Sequence, residues 1–376
     1  MAETLRRHGP AYLCDHTLTP AQGMAIRDII SCRTAALGGH LDVCLDCGHA
    51  RPAYNSCRNR HCPNCQASQA QKWLDGRIER VLPTHYFHVV FTLPEPLRPI
   101  ALANPKIVYD LLFATAAETL QELAATRLGG QLGITAVLHT WTREMLLHPH
   151  LHCVVTGGGL SKDGSRWIAS KEAFLFPVKV IGALFRGKFL DGLGRAHKAG
   201  TLRFVGTSAG LADPVAFAKV RDTLYKTTWV VFAKRPFGGP RQVIAYLARY
   251  THRVAISDAR IRSSDEDRVV LSTRHGRTCA IRPEEFIRRF LLHILPPEFR
   301  KIRHYGLLAP ANVNARLARA RQLLEDAGHR YDTRRFEPGE LPRQPVATMP
   351  TCKACGSRNV RREPLPPSAR GPPVTT

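Results

Sequence analysis

The stretch HPHLHCVV, from His148 to Val155, is read most directly as an extended strand. Alternate side chains of a strand point to one face, so His150 and His152 project together while Leu151, Cys153 and Val155 point the other way into a core. Two imidazoles over an apolar underside make two thirds of a divalent-metal site. The segment ITAVLHTW (134–141) is the natural antiparallel partner, across a short polar connection. That pairing would bring His139 beside the other two, and it is the first choice for a third ligand. Glu144 and His148 are the alternatives, and a histidine hydrogen-bonded in the core is the plainer reading of His139 alone. Gly157, Gly158 and Gly159 follow as a tight exit where only backbone would fit against a bound substrate.

About ninety residues later comes AYLARY, with Tyr246 and Tyr250 four apart. Gly238, Gly239 and Pro240 announce a helix here, and spacing of four puts both phenols on one helical face. At about 100° per residue, Gln242, Tyr246, Arg249, Tyr250 and Arg253 gather on that face, opposite Val243, Ile244, Leu247 and Thr251. A phenol titrating near ~10 needs help to become a nucleophile. Arg249 and Arg253 would favour a phosphate there and lower the cost of a phenolate. Amphipathic packing is the bland alternative for both tyrosines. Together, a metal-binding strand and a helix bearing two activated tyrosines suit phosphodiester cleavage. Tyrosine attacks phosphorus, and a divalent ion, Mg²⁺ or Mn²⁺, polarises the phosphate.

Seven of the eleven cysteines lie before residue 66. Cys44-x-x-Cys47 and Cys62-x-x-Cys65 have the spacing of a four-thiolate zinc site, two ligands from each pair. Cys32, His40, Cys57 and His61 are left as the ligand set of a second site, so one or two structural zinc ions are expected. The ligands could also interleave, and Cys32 and Cys57 could be simply buried thiols. Arg51, Arg58 and Arg60 between the pairs supply charge for phosphate contact. A distal pair, Cys352-x-x-Cys355, has no second pair nearby. It is left without a metal, as half of a ribbon completed elsewhere or as a relic.

A formal net charge of +24 over 376 residues adds self-repulsion without serving the fold, and implies a polyanionic partner. Binding should be dominated by phosphate contacts, favour single strands and weaken steeply with salt. No long uncharged apolar run suggests a membrane span, and the first residues lack a secretory core. A cytoplasmic, nucleoid-associated protein is expected.

The remaining chain reads as a mixture of strands and helices. HYFHVVFTL (85–93), WVVFA (229–233), VAIS (254–257), RVVLS (268–272) and TCAIR (278–282) are strand candidates, the last three as a meander. Helical patterns run over the first thirty residues, 66–82, 105–126, 178–190, 214–226, 284–292 and 312–324. The fold class expected is α+β, with a central antiparallel sheet flanked by helices. The division is a zinc-binding DNA-binding module with a linking helix over 1–82, a nuclease domain over 83–330, and a loose basic Pro/Arg-rich tail from 331 to 376.

In their order, the CxxC pair, SCRNRHCPNCQ (56–66), HPHLHC and YLARYTHRVAIS make the chain resemble the two-tyrosine HUH transposases of rolling-circle insertion sequences, the insertion-sequence-91 type. The name stands for histidine, bulky hydrophobe, histidine, here His150, Leu151 and His152. The resemblance implies an N-terminal zinc-binding domain before an HUH nuclease domain. It implies nicking of single-stranded DNA at element ends with a 5′-phosphotyrosine and a free 3′ hydroxyl, Tyr246 and Tyr250 standing at the nucleophile positions. The chain has no GxxxxGK[ST] phosphate loop, so unwinding would fall to a host helicase or the replication machinery. A plasmid replication initiator or relaxase of the same chemistry, a metal-dependent hydrolase of small amides, and a non-catalytic zinc-dependent DNA-binding protein are the rival readings.

Overall fold

The structure, a computed structural model, describes residues 1–65, 76, 77, 80–173, 175–234, 255–273, 276–329 and 351–368. It is an α+β fold built on antiparallel sheets. The main sheet has the order β11-β4-β5-β3-β7, formed by Ile302–Gly306, Gly130–Trp141, Leu147–Ser161, Tyr86–Thr92 and Val231–Lys234. A short strand β6, Trp167–Ala169, pairs with β5 off this path. The strands expected around 134–141 and 150–156 are β4 and β5, and they pair antiparallel with His139 directly opposite His150.

Period-two alternation sorts the side chains of this sheet. Phe87, Val89 and Phe91 of β3, Ile134, Ala136 and Leu138 of β4, and Leu151, Cys153 and Val155 of β5 share one buried cluster. The helices Pro105–Leu123 and Val178–Lys198 cover it with Leu112, Phe113, Leu120, Phe185 and Phe189. Each fully buried Leu or Phe contributes roughly 1.5–3 kcal/mol relative to exposure, so this face fixes the register. The histidines fall on the opposite face.

A second core joins distant parts of the chain. The helices Ala2–Asp15 and Pro20–Ser31 contribute Leu5, Ile26 and Ile29, which pack with Phe286, Ile287 and Phe290 of the helix Pro283–Leu291 and with Val269 and Leu271. Pro20–Ser31 begins with a capping box. The Gln22 N–H donates to Thr19 Oγ1 at 3.4 Å, and the Thr19 N–H donates to Gln22 Oε1 at 3.0 Å. Such a cap is worth about 1 kcal/mol.

The meander consists of β8 (Ile261–Ser264), β9 (Val269–Ser272) and β10 (Thr278–Ile281), in the order β10-β9-β8. Its first strand is therefore not VAIS. Val254 lies outside the described residues, Ala255 is a bend at φ 54°, where extended pairing is not available, and Ile256 and Ser257 belong to no strand. The helix at 178 runs on to Lys198 through Gly192, which accepts Leu111 at close quarters.

The three glycines after the histidine strand are also corrected. They lie within β5, and a Cβ at Gly157 would stand 2.2 Å from Cδ2 of His85. The space is filled by the protein's own groups, the His85 ring at Gly157, Ile168 and Trp167 at Gly158 and the β4 backbone at Gly159, not held open for a substrate.

A third sheet has the order β12-β1-β2, from Val360–Leu365, Gly39–Cys44 and Ala50–Tyr54. Residues 351–368, expected in a loose tail, thus add a strand to the N-terminal hairpin, with Asp42 paired to Arg362 on one side and Arg51 on the other. No helix among the described residues is long and apolar enough to cross a membrane. The tyrosine helix lies outside the described residues, as does most of the linking helix expected at 66–82.

Candidate metal centres

On the face of the main sheet away from the two long helices, His139, His150 and His152 bring one ring nitrogen each within 4.8 Å of one another. The cause is register. His139 is opposite His150, Val137 opposite His152, and β5 carries its two imidazoles on the same side. The ring centroids of His139 lie 5.3 Å from His150 and 4.3 Å from His152. His139 is buried, and the other two keep part of their surface. Burial, reinforced for His139 and His152 by the neighbouring rings, holds all three far below the ordinary histidine range, His150 at about 4. Three neutral imidazoles converging on one point are a donor set for a divalent cation.

Two further groups orient these rings. His150 Nδ1 lies 2.7 Å from the carbonyl oxygen of His148. A carbonyl only accepts, so Nδ1 carries the proton and the Nε2 lone pair is left for an ion. His152 Nδ1 lies 2.8 Å from His88 Nε2, with the rings stacked at 5.0 Å. His88 was missed in the sequence, where HYFHVVFTL reads as a buried strand only. The signal is alternation: β3 pairs with β5 so that Val90 opposes His152, which puts His88 on the histidine face.

The alternatives for the third ligand are placed elsewhere. His148 contributes its carbonyl, and neither it nor Glu144 joins the cluster. The backbone carbonyl of Glu144 accepts from Arg289 Nη1 at 2.8 Å. Tyr246, Tyr250, Arg249 and Arg253 lie outside the described residues.

The cysteines form two groups, and their membership corrects the expected pairing. Cys32, Cys57, Cys62 and Cys65 are one, with Sγ atoms 3.6 Å apart for Cys32–Cys65 and Cys57–Cys65. Cys44, Cys47, Cys352 and Cys355 are the other. The two CxxC pairs of the N-terminal region therefore do not share a site. Cys44 ends β1 in the three-stranded sheet, whereas Cys62 and Cys65 are buried in the second core beside Ile26 and Ile29. Burial pushes the Cys62 thiol up, and the three neighbouring thiols push it further. Four thiolates this close repel one another unless a cation sits among them, which fits a tetrahedral thiolate site.

His40 and His61, expected among the ligands, are placed in neither group. His40 Nε2 stands 3.7 Å from Asp42, and His61 Nε2 accepts from the Leu295 N–H at 3.2 Å. Burial lowers His61 to about 3, keeping it neutral for that role.

Arg58 is exposed, as a phosphate contact requires. Arg60 is not free for one. Its guanidinium turns inward and donates to the carbonyls of Phe299 and Pro296, both at 2.6 Å, and of Leu295 at 3.4 Å. These carbonyls lie in the loop after the helix Pro283–Leu291, where a guanidinium with five donors can serve several acceptors at once.

Comparison with known proteins gives the family. Residues 4–93 match the family described as "Transposase zinc-binding domain", and residues 133–316 match the family described as "Putative transposase". The segment beyond residue 316 lies outside both matches. The chain is 49% identical over 333 residues to "Putative transposase y4qJ" of Sinorhizobium fredii (strain NBRC 101917 / NGR234), covering 86% of this chain and 84% of that one. It is 27% identical over 352 residues to "Transposase for insertion sequence element IS801" of Pseudomonas savastanoi pv. phaseolicola, covering 89% of this chain and 82% of that one.

Proposed function

This chain belongs to the insertion-sequence-91-type transposases, enzymes that cleave and transfer DNA strands, and on that premise we propose that it nicks and rejoins single-stranded DNA at element ends through 5′-phosphotyrosine intermediates. The observation that carries the reading is the convergence of His139, His150 and His152 on one sheet face. When bound there, Mg²⁺ or Mn²⁺ would draw charge from the scissile phosphate, imidazole nitrogens favouring Mn²⁺.

The protein's own groups do the rest. His150 and His152 are held in place by the His148 carbonyl and by His88, so their free nitrogens point at one place before DNA arrives. The phenolic oxygen of Tyr246 or Tyr250 attacks phosphorus, the P–O3′ bond breaks, and the 3′ oxygen takes up a proton to leave as a hydroxyl. One phosphoester bond replaces another, so the bond energy is kept and no nucleotide triphosphate is consumed. The second tyrosine attacks a second strand in the same way, and the 3′ hydroxyl then resolves the intermediate. Arg249 and Arg253 offset the phosphate charge during attack.

Cys32, Cys57, Cys62 and Cys65 hold a structural zinc ion that keeps the N-terminal module folded. The charge of +24 supplies the affinity for single-stranded DNA, with exposed Arg58 among the phosphate contacts. Strand separation is left to a host helicase or to replication, in the cytoplasm where the element's DNA lies.

The test is incubation of labelled single-stranded end DNA with protein and Mn²⁺, resolved on a denaturing gel. Tyr246→Phe or Tyr250→Phe alone should leave some nicking but stop complete strand transfer. The double change should abolish the covalent adduct, because phenylalanine keeps the ring and removes the oxygen. His150→Ala should abolish it too, with zinc content unchanged. An adduct surviving in the double variant would place the nucleophile elsewhere.

A further inference from the structure

We propose that Cys44, Cys47, Cys352 and Cys355 form a second structural zinc site, built from both ends of the chain, that pins residues 351–368 onto the N-terminal sheet. The four Sγ atoms lie within 4.8 Å of one another. Cys44 and Cys355 are 3.6 Å apart across 311 residues of sequence, and Cys47 and Cys352 are 3.6 Å apart across 305. A tetrahedral ion with Zn–S bonds of about 2.3 Å needs sulfurs about 3.8 Å apart, close to that spacing.

The two pairs are built alike. Each reads Cys-x-x-Cys-Gly, as Cys44 to Gly48 and Cys352 to Gly356. The glycines have φ of 72° and 75°, the left-handed turn that lets a chain fold back over its own thiolates. Gly48 N–H donates to the Cys44 carbonyl at 3.0 Å, and Gly356 N–H to the Cys352 carbonyl at 2.9 Å. Cys44 N–H donates to the His49 carbonyl at 2.9 Å, and Cys352 N–H to the Ser357 carbonyl at 2.8 Å. Two knuckles of one design face each other, which is how a four-thiolate ribbon is made. Cys62 and Cys65 lack the glycine, and they close with a shorter turn, Cys65 N–H to the Cys62 carbonyl at 3.1 Å.

The surroundings lock the same pairing. Asn359 Nδ2 donates to Asp46 Oδ1 at 2.8 Å, Ser357 Oγ donates to the other oxygen of Asp46, and Leu45 N–H donates to the Asn359 carbonyl at 2.9 Å. Strand β12 then runs antiparallel to β1 from Cys44↔Val360 to Gly39↔Leu365. These contacts are few and mostly exposed. A metal crosslink would supply what the small sheet lacks, a constraint on the unfolded chain and a folded-state bond at once.

The full-length protein should carry two zinc ions per chain by plasma mass spectrometry. Cys352→Ser with Cys355→Ser should carry one, and so should Cys44→Ser with Cys47→Ser. Removing all four should cost nothing further. If the N-terminal pairs shared a site instead, losing Cys352 and Cys355 would leave the count unchanged, and the proposal would fall. A second measurement uses the unaltered protein, so it does not depend on the variants folding. Cys14, Cys47 and Cys355 are all exposed. Under iodoacetamide, Cys14 should label within minutes while Cys47 and Cys355 are protected at least tenfold, until a chelator releases both together. Equal labelling of Cys14 and Cys355 in the zinc-loaded protein would overturn the assignment.

Discussion

Arg60 Nη2 donates to the Pro296 carbonyl at 2.6 Å, tying the loop beside Cys62 to the segment that enters β11. That segment also serves the histidine face: the Leu138 N–H donates to the Lys301 carbonyl at 2.9 Å, and Ile302 pairs with Val137. A cysteine centre and a histidine centre are thereby connected through a few backbone groups.

Arg60→Ala should therefore act on the fold, not on DNA. Three carbonyls lose a charged donor, at a cost of about 1–3 kcal/mol, read as a lowered denaturation midpoint. The salt dependence of DNA binding should be unchanged. Were Arg60 a phosphate contact, the slope of log affinity against log salt would shrink by about 0.7–0.9. A smaller slope with unchanged stability would refute the inward role.

Gly157→Ala should destabilise by about 1–3 kcal/mol, since its Cβ would overlap the His85 ring. That ring is held by Ser170 Oγ, 2.9 Å from His85 Nε2, and the Gly157 N–H donates to the His85 carbonyl at 2.7 Å. Adding His85→Ala should recover part of the loss. A Gly157→Ala protein of full stability but impaired cleavage would mean that the glycine faces DNA after all.

His293 gives a pH dependence of known sign. It is fully buried, with Nε2 on the Met145 carbonyl at 3.0 Å and Nδ1 3.1 Å from Thr140 Oγ1. Burial lowers it to about 4 from an ordinary 6.5. The unfolded chain takes up a proton that the folded state refuses, so the contribution of this neutral ring is complete above pH 6.5 and is lost as pH falls towards 4. In His293→Gln, the slope of unfolding free energy over that window should drop by up to about 1.4 kcal/mol per pH unit, one proton's worth. Urea midpoints at intervals of pH measure it, and identical slopes would show that His293 titrates normally.

The elements governed by local rules were legible in the sequence. Alternation alone set β4 and β5, their antiparallel pairing and the company of His139 with His150 and His152. What depends on distant partners was not. Cys44 and Cys47 were matched to the nearest CxxC, because spacing ranks candidates by proximity along the chain, while folding ranks them by sheet pairing. The repeated Cys-x-x-Cys-Gly was present to be read, and would have matched the pair Cys44 and Cys47 with the pair Cys352 and Cys355. His88 was hidden for a related reason: alternation separates it from Phe87 and Val89, but which histidines it then meets follows from the strand order. Arg60 looked like its neighbour Arg58, and only a carbonyl cluster more than two hundred residues away turns it inward.

The strand β12 is synthesised long after the hairpin it completes. A ribosome making this chain releases Cys44 and Cys47 early and Cys352 and Cys355 only some three hundred residues later. Until then the edge of β1 that β12 will occupy is an unpaired strand edge with the thiols of Cys44 and Cys47 beside it, lacking their partners and open to the wrong metal, an oxidant or another chain. A message broken before codon 352 would yield a protein with the histidine cluster entire and this second cysteine group half built. The sheet β12-β1-β2 is thus completed only after every histidine of the cluster has been made.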